Sequence, residues 1–130
     1  MNPGPDSFPS IENKYLKMWI EGNIMFAEYK SVVVDLEAAK IILKDRLELI
    51  QGNTYACFAD CRKVKYWTNE ARIFQAGENN NIGIKAAALY VKSHALKILA
   101  NFYLLINKPN VPQYCFTSKE AAFKWLEQYK

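Results

Sequence analysis

Residues Tyr55 to Ala76 read YACFADCRKVKYWTNEARIFQA, and the fold turns on them. Tyr55, Ala56, Cys57, Phe58 and Ala59 form an apolar run with no polar alternation, the pattern of a strand covered by helices on both faces. The run stops at Asp60. A charged turn follows through Arg62, Lys63 and Lys65. Thr68 then stands where a helix through Asn69, Glu70, Ala71, Arg72, Ile73 and Phe74 needs a cap, with Gly77 near its end. In open α/β sheets, ligands and partners gather beyond the carboxyl ends of such strands, so Asp60, Arg62 and the residues after them hold the favoured position for function.

Upstream of this stretch, Asp35 is placed to cap a helix in which Leu36, Ala39, Leu43, Leu47 and Ile50 recur at helical spacing before Gly52-Asn53. Before that helix, Leu16, Met18 and Ile20 alternate with Lys17 and Glu21, as in a strand from Tyr15 to Glu21. Gly22-Asn23 turns the chain into a second strand, Ile24 to Lys30, and the two pair as an antiparallel hairpin. The capped helix then joins parallel strands by a right-handed crossover, so the sheet is mixed.

Downstream, the polar GENNN segment after Ala76 is loop, and Ile84 to Val91 is a strand. A helix from Ser93 to Ile106 is apolar around most of its circumference through Leu96, Ile98, Leu99, Phe102 and Leu105. It is expected to be deeply buried or part of an interface. After Pro109 and Pro112, Tyr114 to Phe116 is a short last strand. Thr117 and Glu120 have the spacing of a capping box for a final helix, whose Ala122, Trp125, Leu126 and Tyr129 share one face. The sum is an α/β fold with a single mixed, mostly parallel sheet of about five strands, an N-terminal hairpin and about four helices.

The 130 residues fit one domain. Residues 1–10 hold three of the five prolines and read as a flexible arm, leaving 11–130 as the folded unit. The net charge of +4 is spread over lysines interspersed with acids, which describes a solvated surface and gives no nucleic-acid stripe. No apolar run approaches the ~18 residues of a membrane span, and MNPGPDSFPS lacks the basic start and apolar core of a signal peptide. The three cysteines, Cys57, Cys61 and Cys115, fit reduced thiols in a cytoplasmic protein.

Chemistry is hard to assemble from this chain. His94 is the single histidine, and no nucleophile elbow or triad motif accompanies it. Cys57 and Cys61 straddle a strand end without a second pair of ligands, so neither a metal nor a cofactor is expected. Cys61 lies beside Arg62, Lys63 and Lys65, which would lower its pKa if it were exposed. What remains is the cluster Asp60, Arg62, Tyr66, Trp67, Thr68, Asn69 and Arg72. In one reading Asp60 pairs with Arg62 or Arg72 to hold the turn while Trp67 plugs the core. In the other the cluster is a recognition patch, because Tyr, Trp and Arg dominate interface hot spots.

Over roughly residues 12 to 130 the order of elements resembles the STAS domain of bacterial anti-sigma-factor antagonists and the related STAS/SEC14-like proteins. The resemblance is closest to an uncharacterised bacterial branch with an Asp-x-Arg strand end, here Asp60-Cys61-Arg62. Thr68 to Arg72, Asn101-Phe102 and Lys108 to Pro112 supply its further motifs. The phosphorylatable Asp-Ser pair of the antagonists falls near Thr68-Asn69, where neither residue matches. The resemblance implies a non-catalytic regulatory or scaffold domain that binds a protein partner or a second copy of itself. The alternative is a small-molecule or lipid-binding module of SEC14-like type, and a third reading is an enzyme acting through Cys61 or Asp60.

Overall fold

A computed structural model describes residues 8–130. The arm expected over 1–10 lies, as far as residue 7, outside the described residues. The Pro9 carbonyl already accepts from the Ile20 amide at 3.0 Å, and β1 (Ser10–Glu12) follows, a strand that the sequence did not signal. It pairs antiparallel with β2 (Leu16–Glu21), which turns back into β3 (Ile24–Tyr29). Gly22 takes φ +63° in that turn, the positive value that keeps a two-residue hairpin in step with the strand twist.

A two-residue strand, β4 (Val33–Val34), precedes α1 (Leu36–Ile50), whose first turn is capped as expected: the Ala38 amide donates to Asp35 Oδ1 at 2.8 Å. Next come β5 (Tyr55–Asp60), β6 (Tyr66–Trp67) and α2 (Asn69–Ala76), with Thr68 Oγ1 accepting from the Ala71 amide at 3.2 Å. A single 3₁₀ turn, Asn79–Asn81, leads to β7 (Ile84–Tyr90), α3 (His94–Asn107), β8 (Gln113–Phe116) and α4 (Lys119–Leu126). The cap of α4 is Ser118, which accepts from the Ala121 amide at 3.1 Å, and not Thr117 as its spacing suggested.

The main sheet has six strands in the order β1-β2-β3-β5-β7-β8, antiparallel through β3 and parallel from there on. The fold is therefore α/β with a mixed, mostly parallel sheet, an N-terminal hairpin and four α-helices, as the sequence reading has it. In addition β4 and β6 pair in parallel as a separate two-stranded sheet that ties the turn after β5 to the segment before α1. Elements of two residues carry no periodicity, so neither was legible beforehand.

Strand alternation divides the core in two. Ile24, Phe26, Ala56, Phe58, Ala86, Ala88 and Tyr90 point toward α4, where Phe58 stacks on Phe123 at 4.6 Å between ring centroids. Met25, Ala27, Cys57, Ala59, Ala87 and Cys115 point to the face carrying α1, α2 and α3. The buried stripe of α1 is Ala38, Ala39, Ile42, Arg46 and Ile50; of the face suggested by periodicity it keeps Ala39 and Ile50, while Leu36, Leu43 and Leu47 are half-buried. Of the two expectations for α3, deep burial fails, since none of its 14 residues is buried.

Gly83 enters β7 with φ +80°, and a Cβ there would run into Ile50 Cδ1 and lie 3.0 Å from the Asn53 carbonyl oxygen. Gly83→Ala should lower the unfolding free energy by about 2–4 kcal/mol, seen as an earlier urea midpoint with an unchanged slope.

Candidate functional site

The rim nominated by the sequence divides into two groups. At the end of β5, Arg62 Nη2 donates to Asp60 Oδ2 at 2.8 Å, Arg62 Nε to Oδ1 at 3.0 Å and the Arg62 amide to Oδ1 at 3.1 Å. The same guanidinium lies 4.5 Å from the Tyr90 ring centroid. Burial would raise the Asp60 pKa, but these bonds hold it below its ordinary value, and Arg62 is raised in return. Both side chains are open to solvent on at least one side, so the pair orders the turn and adds little stability.

Arg72 is not the partner of Asp60. Its Nη1 donates to the Trp67 carbonyl at 2.9 Å, its Nη2 to Asn69 Oδ1 at 3.1 Å, and its guanidinium sits 4.0 Å from the Tyr103 ring centroid on α3. Trp67 packs edge-on to Tyr29 at 6.0 Å as a partial plug, Thr68 is occupied as a cap, and Tyr66 is 59% exposed. The structure thus joins Trp67, Asn69 and Arg72 to α3 and leaves Asp60 and Arg62 as a separate pair.

Between the Trp67–Arg72 group, α3 and the sheet lies a cavity of about 320 Å³. Its cause is side-chain length. Ala27, Cys57, Ala59, Ala87 and Cys115 are too short to fill the space up to Leu96, Leu99, Ala100, Tyr103 and Leu104 of α3. The helix is held off by a polar clamp, because Asn101 Nδ2 donates to the Cys115 carbonyl at 3.3 Å and its Oδ1 accepts from the Cys115 amide at 2.9 Å. This clamp satisfies both polar groups of one residue on the edge strand β8. Burial pushes the Cys57 thiol up to about 11, Cys115 to about 12 and Cys61 well above its ordinary value. The reactive-thiol reading of Cys61 fails on this point: the residue is 4% exposed and its Sγ donates to the Ala59 carbonyl at 3.6 Å.

One end of the cavity is polar. Arg46 reaches it from α1, 6% exposed, donating Nη2 to the Asn80 carbonyl while its Nε finds no partner. Asn80 Nδ2 holds the Gln75 carbonyl at 3.0 Å. Asn81 donates to the Gly77 carbonyl at 3.1 Å and to Asn110 Oδ1 at 3.0 Å, and it accepts from Gln113 Nε2 at 3.0 Å. Two residues of the segment read as loop, Asn80 and Asn81, therefore form a buried polar floor, while Asn79 is exposed. The charged residues on the cavity wall are Arg46, Arg62, Lys65, Arg72 and Lys92, with no carboxylate among the described lining residues. Sequence reasoning missed Arg46, although Ala38, Ile42, Arg46 and Ile50 are four apart and place a cation on an apolar stripe. Among the described residues no group of three His, Cys, Asp or Glu could hold a metal ion, and no helix is long and apolar enough to cross a membrane.

Residues 18–130 match the profile of a family described as a domain of unknown function, DUF7793. No curated protein matches the chain. Among solved structures, an uncharacterised DUF3478-family protein from Shewanella loihica PV-4, described as having a SpoIIAA-like fold, superposes with a TM-score of 0.59. The identity is 12%, and the match covers 89% of this chain and 98% of the other. The likeness supports a STAS-like fold and speaks to fold alone.

The three thiols should behave as interior groups. In native protein at pH 8 their reaction with Ellman's reagent should run at least ~100-fold slower than in denaturant, the factor for an opening cost of about 3 kcal/mol. A fast native burst from Cys61 would restore the reactive-thiol reading.

Proposed function

The chain belongs to the DUF7793 family, and from that premise we propose that it is a non-catalytic binding module holding an apolar small molecule in the cavity beneath α3. The observation that carries this reading is the cavity itself. Protein cores are packed to crystal density, whereas ligand sites are apolar hollows of ~300–1,000 Å³ with a few polar groups at one end. A hollow of about 320 Å³ with Arg46 and the asparagine floor at one end has that form. The reading is one of binding without chemistry, because the thiols are buried and held protonated. Free buried cysteines also suit a reducing cytoplasmic setting. α3 is the wall through which a ligand enters, since among the described residues it is the one α-helix without a buried residue.

A second reading has its own observation. The outer side of α3 exposes Ile98 at 66%, Phe102 at 56%, Leu105 at 74% and Ile106 at 58%. An apolar face of this kind is suited to a protein partner, and a second copy of the chain supplies a matching face across a two-fold axis. A regulatory or scaffold role of STAS-like type would follow from that contact.

Two experiments separate the readings. Wild-type protein should enhance 1-N-phenylnaphthylamine fluorescence saturably, and Ala100→Phe, which fills the hollow from α3, should weaken that binding at least ~10-fold. Failure of the wild type to bind the dye would sink the first reading. Sedimentation should show a dimer that Leu105→Glu converts to monomer if the second reading holds, and a wild-type monomer at every concentration would remove self-association.

A further inference from the structure

We propose that the cavity takes a single-chain acid, its tail laid along the short side chains of β5, β7 and β8 and its anionic head on the guanidinium of Arg46. This deepens the ligand-binding reading and rests on it.

The argument starts from an unmet need. Arg46 is 6% exposed, its one bond goes to the neutral Asn80 carbonyl, and its Nε lacks a partner. A link to a carbonyl could be made by an uncharged amide. A guanidinium withdrawn from water keeps its charge at any physiological pH and is offset best by an anion. None is supplied by the protein, since no carboxylate lines the cavity among the described residues. The titratable groups close enough to act on Arg46 are Tyr29 on β3 and Cys57 on β5. Burial raises both, so at neutral pH each is an uncharged donor and not a competing anion. Burial also lowers the pKa of Arg46 from its ordinary value, the mark of a cation short of compensation.

The rest of the wall agrees with an amphiphile. Arg62, Lys65, Arg72 and Lys92 are cationic and draw anions toward the opening, while the strands and α3 present alanine, cysteine and leucine. A planar guanidinium suits a carboxylate, which it binds with two parallel hydrogen bonds. At ~30 Å³ for a water-sized group, the hollow of about 320 Å³ has room for about ten non-hydrogen atoms, the size of a medium-chain fatty acid.

Octanoate and 1-octanol differ at the head and share the tail. Calorimetric titration of both into wild type, Arg46→Met and Arg46→Lys reads the assignment directly. The acid-to-alcohol affinity ratio should fall at least ~10-fold in Arg46→Met and be largely kept in Arg46→Lys. An unchanged ratio in Arg46→Met overturns the head assignment while leaving the cavity as a site for neutral apolar ligands. Binding of neither compound by wild type overturns both. Should Arg46→Met fail to fold, carboxyl-¹³C octanoate bound to wild type decides the matter: ionisation below the pKa of the free acid supports the pairing with Arg46, and ionisation above it overturns the proposal.

Discussion

The sheet is filled differently on its two faces, and the side chains of the parallel strands dictate how. Toward α4, Phe26, Phe58 and Phe123 meet within 6.1 Å centroid to centroid and close the space. Toward α3, β5 and β7 offer Cys57, Ala59 and Ala87, and β8 offers Cys115. A strand pitch fixes where these Cβ atoms stand, so short side chains leave a gap that the opposing helix must cross or leave open. α3 leaves it open. It is fastened by hydrogen bonds from Asn101, by Arg72 lying on Tyr103 and by the partly buried Ala100 and Leu104, with no fully buried residue of its own.

That mode of attachment explains the character of α3. A helix that gave its apolar residues wholly to the core would bury one stripe and show a polar back. Here Leu96, Leu99 and Ala100 border the hollow, whereas Ile98, Phe102 and Leu105 look outward. Both sides are apolar and neither is sealed. The same helix therefore bears on a ligand beneath it and on a partner above it, and a displacement of α3 would be felt at both.

The polar end of the hollow is a second dependency. Arg46 carries a charge into a region from which water is largely withdrawn, and Asn80 and Asn81 order the chain around it through bonds to Gln75, Gly77, Asn110 and Gln113. Through those bonds the buried amides of Asn80 and Asn81 are satisfied. The Nε of Arg46 is left over, as is that of Arg72, so unmet donors of positive sign remain on the cavity wall. By contrast the Asp60–Arg62 pair, which stands at the strand end favoured for function in open sheets, is complete in itself.

Much of the architecture was legible because it rests on local rules. An unbroken apolar run from Tyr55 announces a doubly covered strand, Gly22 announces a hairpin, and Asp35 and Thr68 announce helix starts through oxygens that meet free amides. Sequence by itself therefore determined the layered α/β body and the order of its longer elements, though not β1, β4 or β6. It named Asp60, Arg62 and Arg72 together, yet could not tell which cation the acid would hold, because that depends on where α2 and α3 settle. Nor could it reveal the hollow, since an alanine in a strand looks the same whether a neighbour reaches it or stops short. The face on which Arg46 falls, the folding of Asn80 and Asn81 into the interior and the standoff of α3 were decided only by tertiary packing, where distances between elements, and not patterns within them, set what is filled and what is left open.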